Sequence, residues 1–465
     1  MPTKVLWVNA INPHAEIEYR YPPLGVGYLA SSLRAHFGPD TFQFRVVNRD
    51  VEEALTDFQP DIVGITTVTQ NYSLAKKYAR AIRQKRLPVI IGGIHISMLP
   101  SSLSPDMDVG VIGEGEETIL ELFELFMKKG NLDSEGVSQI RGIVYRNPGG
   151  ELHLTEKRPP LSPLDRISMP ARDLLSIEKH SYLFSSRGCP FRCVFCASSR
   201  YWGPVRFFSA EYVVREIREL VGAYGVKLIS FYDDLMIADG PRLTKIVSLL
   251  QREDFLPKVK FSVNARANLL DEGVVKLLKD MNVVSVGMGL ESGNERILRY
   301  LKGPHISVAD NQAAIRLLKK YGIAANASFV IGSPDETEEE IGDTYRFIKT
   351  NGLSFVDAYV ITPFPGTPVW EYAKSVGAVQ DDMEWERLNV NYGTNPHPVI
   401  LSQTLSKEAM DRLFAKFQRL RLFIAMKNIL RHPFFWDICR LSARRMFNKL
   451  RKVHKRKGDK TLLEG

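Results

Sequence analysis

The segment Ser185–Cys196 (SSRGCPFRCVFC) decides how the rest of the chain is interpreted. It arranges Cys189, Cys193 and Cys196, three of the four cysteines, as Cys-x3-Cys-x2-Cys in a predicted loop after a short apolar strand. Three thiolates at this spacing can bind three irons of a [4Fe–4S] cube and leave the fourth iron open. Zinc would need a fourth protein ligand close by, and His180 is the nearest upstream histidine. The pattern therefore favours an iron–sulfur centre over a zinc knuckle or structural thiols.

Strand and helix patterns alternate regularly in the part of the chain that includes this loop and continues after it. Short apolar runs separated by amphipathic stretches predict six βα repeats. Six such repeats indicate a partial parallel barrel, shorter than the complete eight-stranded one. The predicted strands are Leu183–Ser186, Lys227–Tyr232, Lys260–Asn264, Val283–Gly289, Ala325–Ile331 and Phe355–Thr362.

Polar or glycine-rich motifs follow the later strands, at the end where parallel barrels carry their active sites. In strand order, these motifs are Asp233-Asp234, Arg266, Gly289–Gly293 (GLESG), Gly332-Ser333-Pro334 and Pro363–Pro368 (PFPGTP). Two of them have simpler interpretations. The acidic pair could cap a helix, and Arg266 could be an ordinary surface residue at a strand end.

Taken together, these motifs resemble those of the radical S-adenosylmethionine superfamily over about residues 182–378, with Phe195 as its aromatic residue before the last cysteine. The resemblance implies that Cys189, Cys193 and Cys196 hold a [4Fe–4S] cluster whose open iron binds S-adenosylmethionine. One electron then cleaves that molecule to a 5′-deoxyadenosyl radical, which abstracts hydrogen from a substrate. The residues that it implies for S-adenosylmethionine binding are Phe195, Asp233, Asp234, Arg266, Glu291, Ser292 and Gly332.

The first part of the chain contains a separate βα series. Strand patterns at Val5–Asn9, Ile62–Thr66 and Pro88–Gly93 alternate with helix patterns at Gly25–His36 and Tyr72–Gln84. This order predicts a doubly wound parallel sheet, which binds ligands at the carboxyl ends of its strands. Threonines and glycines at those ends would admit a flat macrocycle close to the backbone amides.

This region resembles the cobalamin-binding domain that precedes the radical domain in one large subfamily. The resemblance rests on Tyr21–Gly25, Gly92–His95 and Val111–Glu116. Asn12-Pro13-His14 lacks the aspartate and glycine that accompany the cobalt-ligating histidine of mutase-type domains, so His14 is not expected to bind cobalt. The residues implied for cobalamin binding are Thr66, Thr67, Gly92, Gly93, His95, Gly113 and Glu114.

The composition, with 44% hydrophobic and 25% charged residues among 465, excludes a disordered or fibrous chain. Residues 411–465 hold 16 basic and 4 acidic residues, whereas the other 410 have a net charge of −3. The basic, helical segment Lys407–Lys457 is interpreted either as a helix packed on the barrel or as a surface for an anionic membrane or an acidic electron donor. Without a spanning segment or signal peptide in the sequence, we expect a cytoplasmic protein with optional membrane association.

The predicted domains are a cobalamin-binding-like domain (1–145), a linker (146–175), a partial (β/α)6 barrel (176–385) and a helical region with a basic tail (386–465). The predicted function is cobalamin-dependent methylation of an unactivated carbon in a small-molecule or lipid-like substrate, with a flavodoxin- or ferredoxin-type electron donor. An oxidative cyclase acting on a porphyrin-type substrate, or a non-catalytic cofactor-binding module, stays open. Nucleic acid is not expected as a partner, because the extra cysteines of methylthiotransferases are missing before Cys189.

Overall fold

The computed structural model describes residues 1–12 and 22–428. The first sheet and its helices occupy the chain up to residue 154. In chain order, these elements are β1 (Thr3–Ala10), α1 (Leu24–Phe37), β2 (Phe42–Val47), α2 (Val51–Phe58), β3 (Ile62–Thr67), α3 (Tyr72–Gln84), β4 (Val89–Gly92), α4 (Ile94–Met98), β5 (Val109–Val111), α5 (Thr118–Lys129), α6 (Ser134–Val137), β6 (Ile143–Arg146) and β7 (Leu152–Leu154).

The first sheet has the strand order β2-β1-β3-β4-β5-β6-β7. Strands β1 to β5 are parallel, and β6 and β7 form an antiparallel hairpin at one edge. The central strands are almost continuously apolar because helices cover both faces of a parallel sheet. The predicted doubly wound sheet is confirmed, and the β6–β7 hairpin extends this sheet beyond residue 145 to Leu154.

A second sheet and its helices follow the segment 155–179. In chain order, these elements are β8 (His180–Leu183), β9 (Ser186–Arg187), α7 (Ser198–Tyr201), β10 (Arg206–Phe207), α8 (Ala210–Gly222), β11 (Leu228–Phe231), α9 (Gly240–Leu250), β12 (Lys260–Ala265), α10 (Glu272–Asp280), β13 (Val283–Glu291), α11 (Glu295–Lys302), α12 (Val308–Lys320), β14 (Ala324–Ile331), α13 (Glu338–Thr350), β15 (Phe355–Val360), α14 (Pro368–Ser375) and α15 (Lys407–Asn428).

The second sheet is the predicted partial barrel. Six parallel strands follow one another in the order β8-β11-β12-β13-β14-β15. The predicted strand Leu183–Ser186 is divided, because β8 ends at Leu183 and Ser186 pairs with Phe207 in the small ribbon β9–β10. Side-chain caps fix where most barrel helices begin. These capping residues are Ser209, Asp239, Asp271, Asn294, Ser307, Thr337 and Thr367.

Helix α15 packs along β15, which is an edge strand of the barrel. The predicted apolar stripe is buried against the barrel, and it consists of Leu413, Phe417, Leu420 and Ile424. Arg421 pairs with Asp357 of β15 at 3.0 Å, so the interaction includes charge as well as apolar packing. Covering an edge strand in this way protects its unpaired backbone groups. Among the helices of the described residues, none is both long and apolar enough to cross a bilayer.

A buried ion pair holds the segment between the two sheets onto the barrel. Arg172 donates to Glu216 of α8 at 2.6 Å and to the carbonyl of Tyr182 at 3.0 Å. The side chains of Arg172 and Glu216 are both fully buried. Removing one partner of such a pair leaves an uncompensated charge in the interior.

We expect Arg172→Met to lower the free energy of unfolding by about 3–5 kcal/mol, because Glu216 would keep a buried carboxylate without its cation. The matched control is Asp173→Asn, which breaks only the exposed pair with Arg34 and should cost less than about 1 kcal/mol. Urea unfolding followed by tryptophan fluorescence measures both values. Equal effects of the two substitutions would contradict the role assigned to the buried pair.

Candidate active site

The cysteine loop is held in place by backbone hydrogen bonds from several parts of the barrel. The Val194 amide donates to the carbonyl of Leu301 at 3.0 Å, and the Val369 amide donates to the carbonyl of Val194 at 3.3 Å. Arg200 donates to the carbonyls of Cys193 (3.2 Å) and Cys196 (2.6 Å). The end of α11, the start of α14 and the first turn after the loop therefore fix its path.

The three thiols are half-buried neighbours. Burial raises the pKa of Cys196 to about 11 and also raises that of Cys189, and the charges of the other thiols and of Asp234 add to both shifts. The Cys189 and Cys196 thiols therefore keep their protons until metal displaces them. In the described part of the chain, no three His, Cys, Asp or Glu side chains are grouped to hold a metal ion. A [4Fe–4S] cube does not require such a grouping around one ion, because each of three irons takes one thiolate, and the three cysteines can supply these ligands.

The two aspartates after β11 have different surroundings. Asp233 is buried and accepts hydrogen bonds from the amides of Ser185 (2.6 Å) and Ser186 (3.2 Å) as well as from the Ser185 hydroxyl. Burial raises the pKa of Asp233 to about 6, against the effect of these bonds. Asp233 thus fixes the chain just before the cysteine loop, and its predicted contact with S-adenosylmethionine is replaced by this structural role.

Asp234 lies beside the cysteines and is the better candidate for binding an ammonium group. Its charge acts on the thiols of Cys189 and Cys196, and it accepts a hydrogen bond from the Ser198 hydroxyl. The alternative interpretation of the acidic pair as a helix cap is wrong, because Asp239 caps α9 instead. The Ser198 hydroxyl uses one oxygen of Asp234, which leaves the other carboxylate oxygen for a cationic ligand.

Positive charge also lies beside the cysteines, around Arg266. Its Nη1 lies 3.6 Å from the Cys193 sulfur, and its guanidinium stacks on Phe191 at 4.0 Å from the ring centre. Its Nη2 donates to the carbonyl of Lys302 at 3.1 Å. Arg266 is 5% exposed, so the alternative of an ordinary surface arginine is wrong.

Lys302 is a site residue that the sequence motifs missed. Its buried ammonium donates to the carbonyl of Gly289 and lies 3.8 Å from a carboxylate oxygen of Glu291. Glu291 has a left-handed backbone with φ of 61°, which is unusual for a residue other than glycine. Lys302 ends α11, eleven residues after Glu291, and no motif of the sequence marks that position.

Ser292 and Gly332 serve the packing of the barrel, in contrast to the predicted contacts. Ser292 is fully buried, and its hydroxyl bonds with Thr344 at 3.1 Å and accepts from the Asn294 amide. Gly332 has φ of +81°, and a Cβ there would lie 2.7 Å from the methyl group of Met410. Helix α15 therefore covers Gly332. Phe195 is half-buried against the core that the two domains share.

The predicted small-residue floor forms at the carboxyl edge of the first sheet. Gly93 has φ of +105°, and a Cβ there would lie 2.5 Å from the carbonyl oxygen of Thr67. Gly92 and Gly113 face open space, with no atom within 4 Å of an added Cβ. Ser97 donates to the Gly93 carbonyl (2.9 Å) and accepts from the Gly113 amide (3.0 Å), which ties the ends of β4 and β5 together. Half-buried Thr66 lies at the same edge, where small residues leave the backbone accessible.

His95 lies within the core next to this floor, in contrast to its predicted contact with cobalamin. It is fully buried, with ring centres 4.0 Å from Tyr72 and 4.4 Å from Trp385. Neither ring nitrogen has a hydrogen-bond partner among the described residues. Burial lowers the pKa of His95 to about 3, so the imidazole is neutral. His14 lies outside the described residues.

Glu114 joins the two domains through both of its carboxylate oxygens. One oxygen accepts from Arg187 at 2.6 Å, and the other accepts from Arg206 at 2.7 Å and from the Leu161 amide at 2.7 Å. Arg187 also donates to Glu116 at 2.5 Å. The Arg187 side chain is 4% exposed, so its ion pairs with Glu114 and Glu116 are shielded from water. Glu114 therefore lies at the domain junction, and its contact with cobalamin stays a prediction.

A hydrogen bond connects the two halves of the site directly. The hydroxyl of Tyr201, five residues after the last cysteine, donates to the carbonyl of Gly113 at 3.2 Å. The cysteine loop therefore lies against the glycine floor. No sequence pattern indicated this contact, because Tyr201 belongs to no motif and its partner is 88 residues away.

Fold and site together define the class of protein. The radical SAM superfamily model matches residues 183–348, and the B12 binding domain model matches residues 14–123. The chain belongs to the radical S-adenosylmethionine superfamily, as an enzyme with a B12-binding domain. Its cofactors are a [4Fe–4S] cluster, S-adenosylmethionine and cobalamin.

Three relatives show how far the likeness extends. An uncharacterized methyltransferase of Pyrococcus horikoshii is 32% identical and aligns over 89% of this chain and 91% of its own. The anaerobic magnesium-protoporphyrin IX monomethyl ester cyclase of Rubrivivax gelatinosus is 27% identical over 91% of this chain and 77% of its own. The methyltransferase TsrM of Kitasatospora setae, solved with cobalamin and a [4Fe–4S] cluster, shares the fold with a TM-score of 0.70 at 18% identity, covering 89% of this chain and 91% of its own.

We expect the stability of the protein to fall below pH 6.5 through His95. Its pKa is about 3 in the folded chain and about 6.5 when unfolded, so acid protonates only the unfolded state. From pH 7 to pH 5, this difference should remove about 2 kcal/mol of unfolding free energy. Urea unfolding at both pH values, compared with that of His95→Phe, measures it. A variant that loses as much stability as the natural chain would contradict the buried neutral histidine.

Proposed function

We propose that the protein is a cobalamin-dependent methyltransferase that acts on an unactivated carbon of a small-molecule or lipid-like substrate. The single observation that carries the proposal is the bond between Tyr201 and Gly113, which brings the cysteine loop against the floor of small residues that we propose for the corrin. Methyl transfer from cobalamin to a substrate radical needs both cofactors at one cavity. The names of the relatives from Pyrococcus horikoshii and Kitasatospora setae, both methyltransferases, support the same reaction.

Each part of the site has a proposed task. Cys189, Cys193 and Cys196 would bind the cluster, and the floor of Thr66, Thr67, Gly92, Gly93 and Gly113 would carry the corrin. When bound, the cluster and S-adenosylmethionine supply the radical that abstracts hydrogen, and cobalamin supplies the methyl group.

The charges around the cysteines would orient the amino acid part of S-adenosylmethionine. Asp234 would accept its ammonium, and Arg266 would pair with its carboxylate. We propose Glu291 as a contact of the bound S-adenosylmethionine, and Lys302 would hold its carboxylate in place. Lys302 would also add positive charge next to Arg266. The substrate would enter between the two domains.

Further proposals concern the surroundings of the enzyme. A flavodoxin- or ferredoxin-type protein would supply the electron, and the cytoplasm would be the location. The basic segment at the end of the chain would allow peripheral contact with a membrane; its part 429–465 lies outside the described residues.

The reaction is tested with S-adenosylmethionine carrying a trideuteromethyl group, using anaerobic protein reconstituted with iron, sulfide and hydroxocobalamin and a panel of lipids and tetrapyrroles. We expect a product in which one hydrogen is replaced by the labelled methyl, with 5′-deoxyadenosine and S-adenosylhomocysteine formed in equal amounts. An oxidised product without label would point to the cyclase reaction of the Rubrivivax gelatinosus relative. Absence of 5′-deoxyadenosine from reduced protein would instead revive a non-catalytic module.

The orientation of S-adenosylmethionine is tested with its decarboxylated analogue. Arg266→Met should weaken binding of S-adenosylmethionine by about tenfold to a hundredfold, the effect of one lost charge-assisted bond, and leave binding of the analogue unchanged. Asp234→Asn should weaken both ligands alike. Equilibrium dialysis measures the affinities, with the exposed Arg299→Met as the control and iron content checked for each variant. Equal losses for both ligands in Arg266→Met would refute the assignment.

A further inference from the structure

The last turns of α15 expose three large apolar side chains. Leu422 is 61% exposed, Phe423 60% and Met426 66%. The opposite face of the same turns is buried against the barrel through Leu420 and Ile424. A surface helix normally has one apolar face and one polar face. Here the end of α15 is apolar on both faces, which is typical of a surface that a partner or a membrane covers.

This patch lies at the end of the barrel opposite to the active site. The Asn428 side chain donates to the carbonyls of Leu353 (3.3 Å) and Ser354 (3.1 Å), just before β15 begins. Near its start, α15 places Met410 against Gly332, which follows the carboxyl end of β14. Helix α15 therefore runs antiparallel to the strands. The six residues of β15 separate the two ends of the barrel by about 20 Å.

Basic residues lie along the same helix and follow it in the sequence. The exposed side of α15 carries Arg412, Lys416 and Arg419 before the patch, and Lys427 lies beside Met426. The 37 residues after Asn428 contain 11 basic and 3 acidic residues. Among them, the stretch 434–436 (FFW) begins six residues after the helix. Apolar and aromatic side chains next to a high positive charge are typical of surfaces that bind anionic bilayers.

Charge also decides between the possible occupants of the patch. If the segment 429–465 folded back onto α15, it would bring its net charge of +8 against the cations of the helix. A second copy of the chain would bring the same charge again. Like charges oppose both arrangements, whereas anionic lipid headgroups neutralise the helix and the segment that follows it.

We propose that Leu422, Phe423 and Met426 insert into an anionic membrane surface while the neighbouring lysines and arginines contact its headgroups. This inference gives the proposed membrane contact a defined site on the folded chain, and it does not depend on the methyl transfer reaction. Because the patch lies opposite to the cysteine edge, the contact holds the enzyme on the membrane with its active site turned away from the bilayer. It does not form the substrate entrance.

The experiment is co-sedimentation of the full chain with vesicles of phosphatidylcholine, with and without phosphatidylglycerol. We expect binding only to the anionic vesicles. The triple variant Leu422→Ser, Phe423→Ser, Met426→Ser should bind more weakly by on the order of tenfold or more, because three apolar side chains no longer enter the bilayer. The control is Leu154→Ser with Val376→Ser, which removes exposed apolar residues (58% and 45%) elsewhere and should bind as the natural chain does.

Several results would overturn the proposal. The first is a natural chain that stays in the supernatant with anionic vesicles, and the second is a triple variant that binds them as well as the control does. The third is a natural chain that forms a dimer in solution while the triple variant is a monomer. Equal thermal unfolding of the triple variant and the control shows that the patch is not an internal packing surface. Should the triple variant not fold, hydrogen exchange of the natural chain decides, since vesicles must then protect the peptide spanning 420–428.

Discussion

The buried guanidinium of Arg187 is the interaction on which the rest of the site depends. It lies between Glu114 and Glu116 of the first domain, at 2.6 Å and 2.5 Å, only two residues before the first cysteine of the cluster loop. Such a junction stabilises one arrangement strongly, because separating the domains would leave buried charges without partners. The positions of the cysteine loop and of the β5 edge are therefore coupled, and Tyr201 adds a second link to the same edge.

The coupled elements carry an ordered set of charged and uncharged groups. A carboxylate at Asp234 and cations at Arg266 and Lys302 all lie near the cysteine thiols, and this combination suits a zwitterionic ligand better than either charge alone. The floor of the first sheet consists instead of backbone and small side chains, which suits a large neutral ring system. The proposed methyl transfer needs these two surfaces to face each other, and the junction at Arg187 maintains that arrangement.

The sequence predicted the features that depend on local spacing. The cysteine pattern, the order of the strands and the glycines at Gly92, Gly93 and Gly113 all follow from residues close together in the chain. Predictions from the sequence were wrong or incomplete where a side chain binds a group far away in the chain. Asp233, Ser292 and Glu114 stand in motifs, but each of them binds at least one group between 47 and 92 residues away. Lys302 went unnoticed for the complementary reason, since only folding brings the end of α11 to Arg266.

The most direct test of this account is a crystal structure of the protein loaded with cluster, S-adenosylmethionine and cobalamin. The account predicts a corrin lying on the floor formed by Gly92, Gly93 and Gly113, with one face turned towards the cluster and the bond between Tyr201 and Gly113 intact. A corrin bound at another edge of the first sheet, or domains that separate at Arg187 when the cofactors bind, would contradict it.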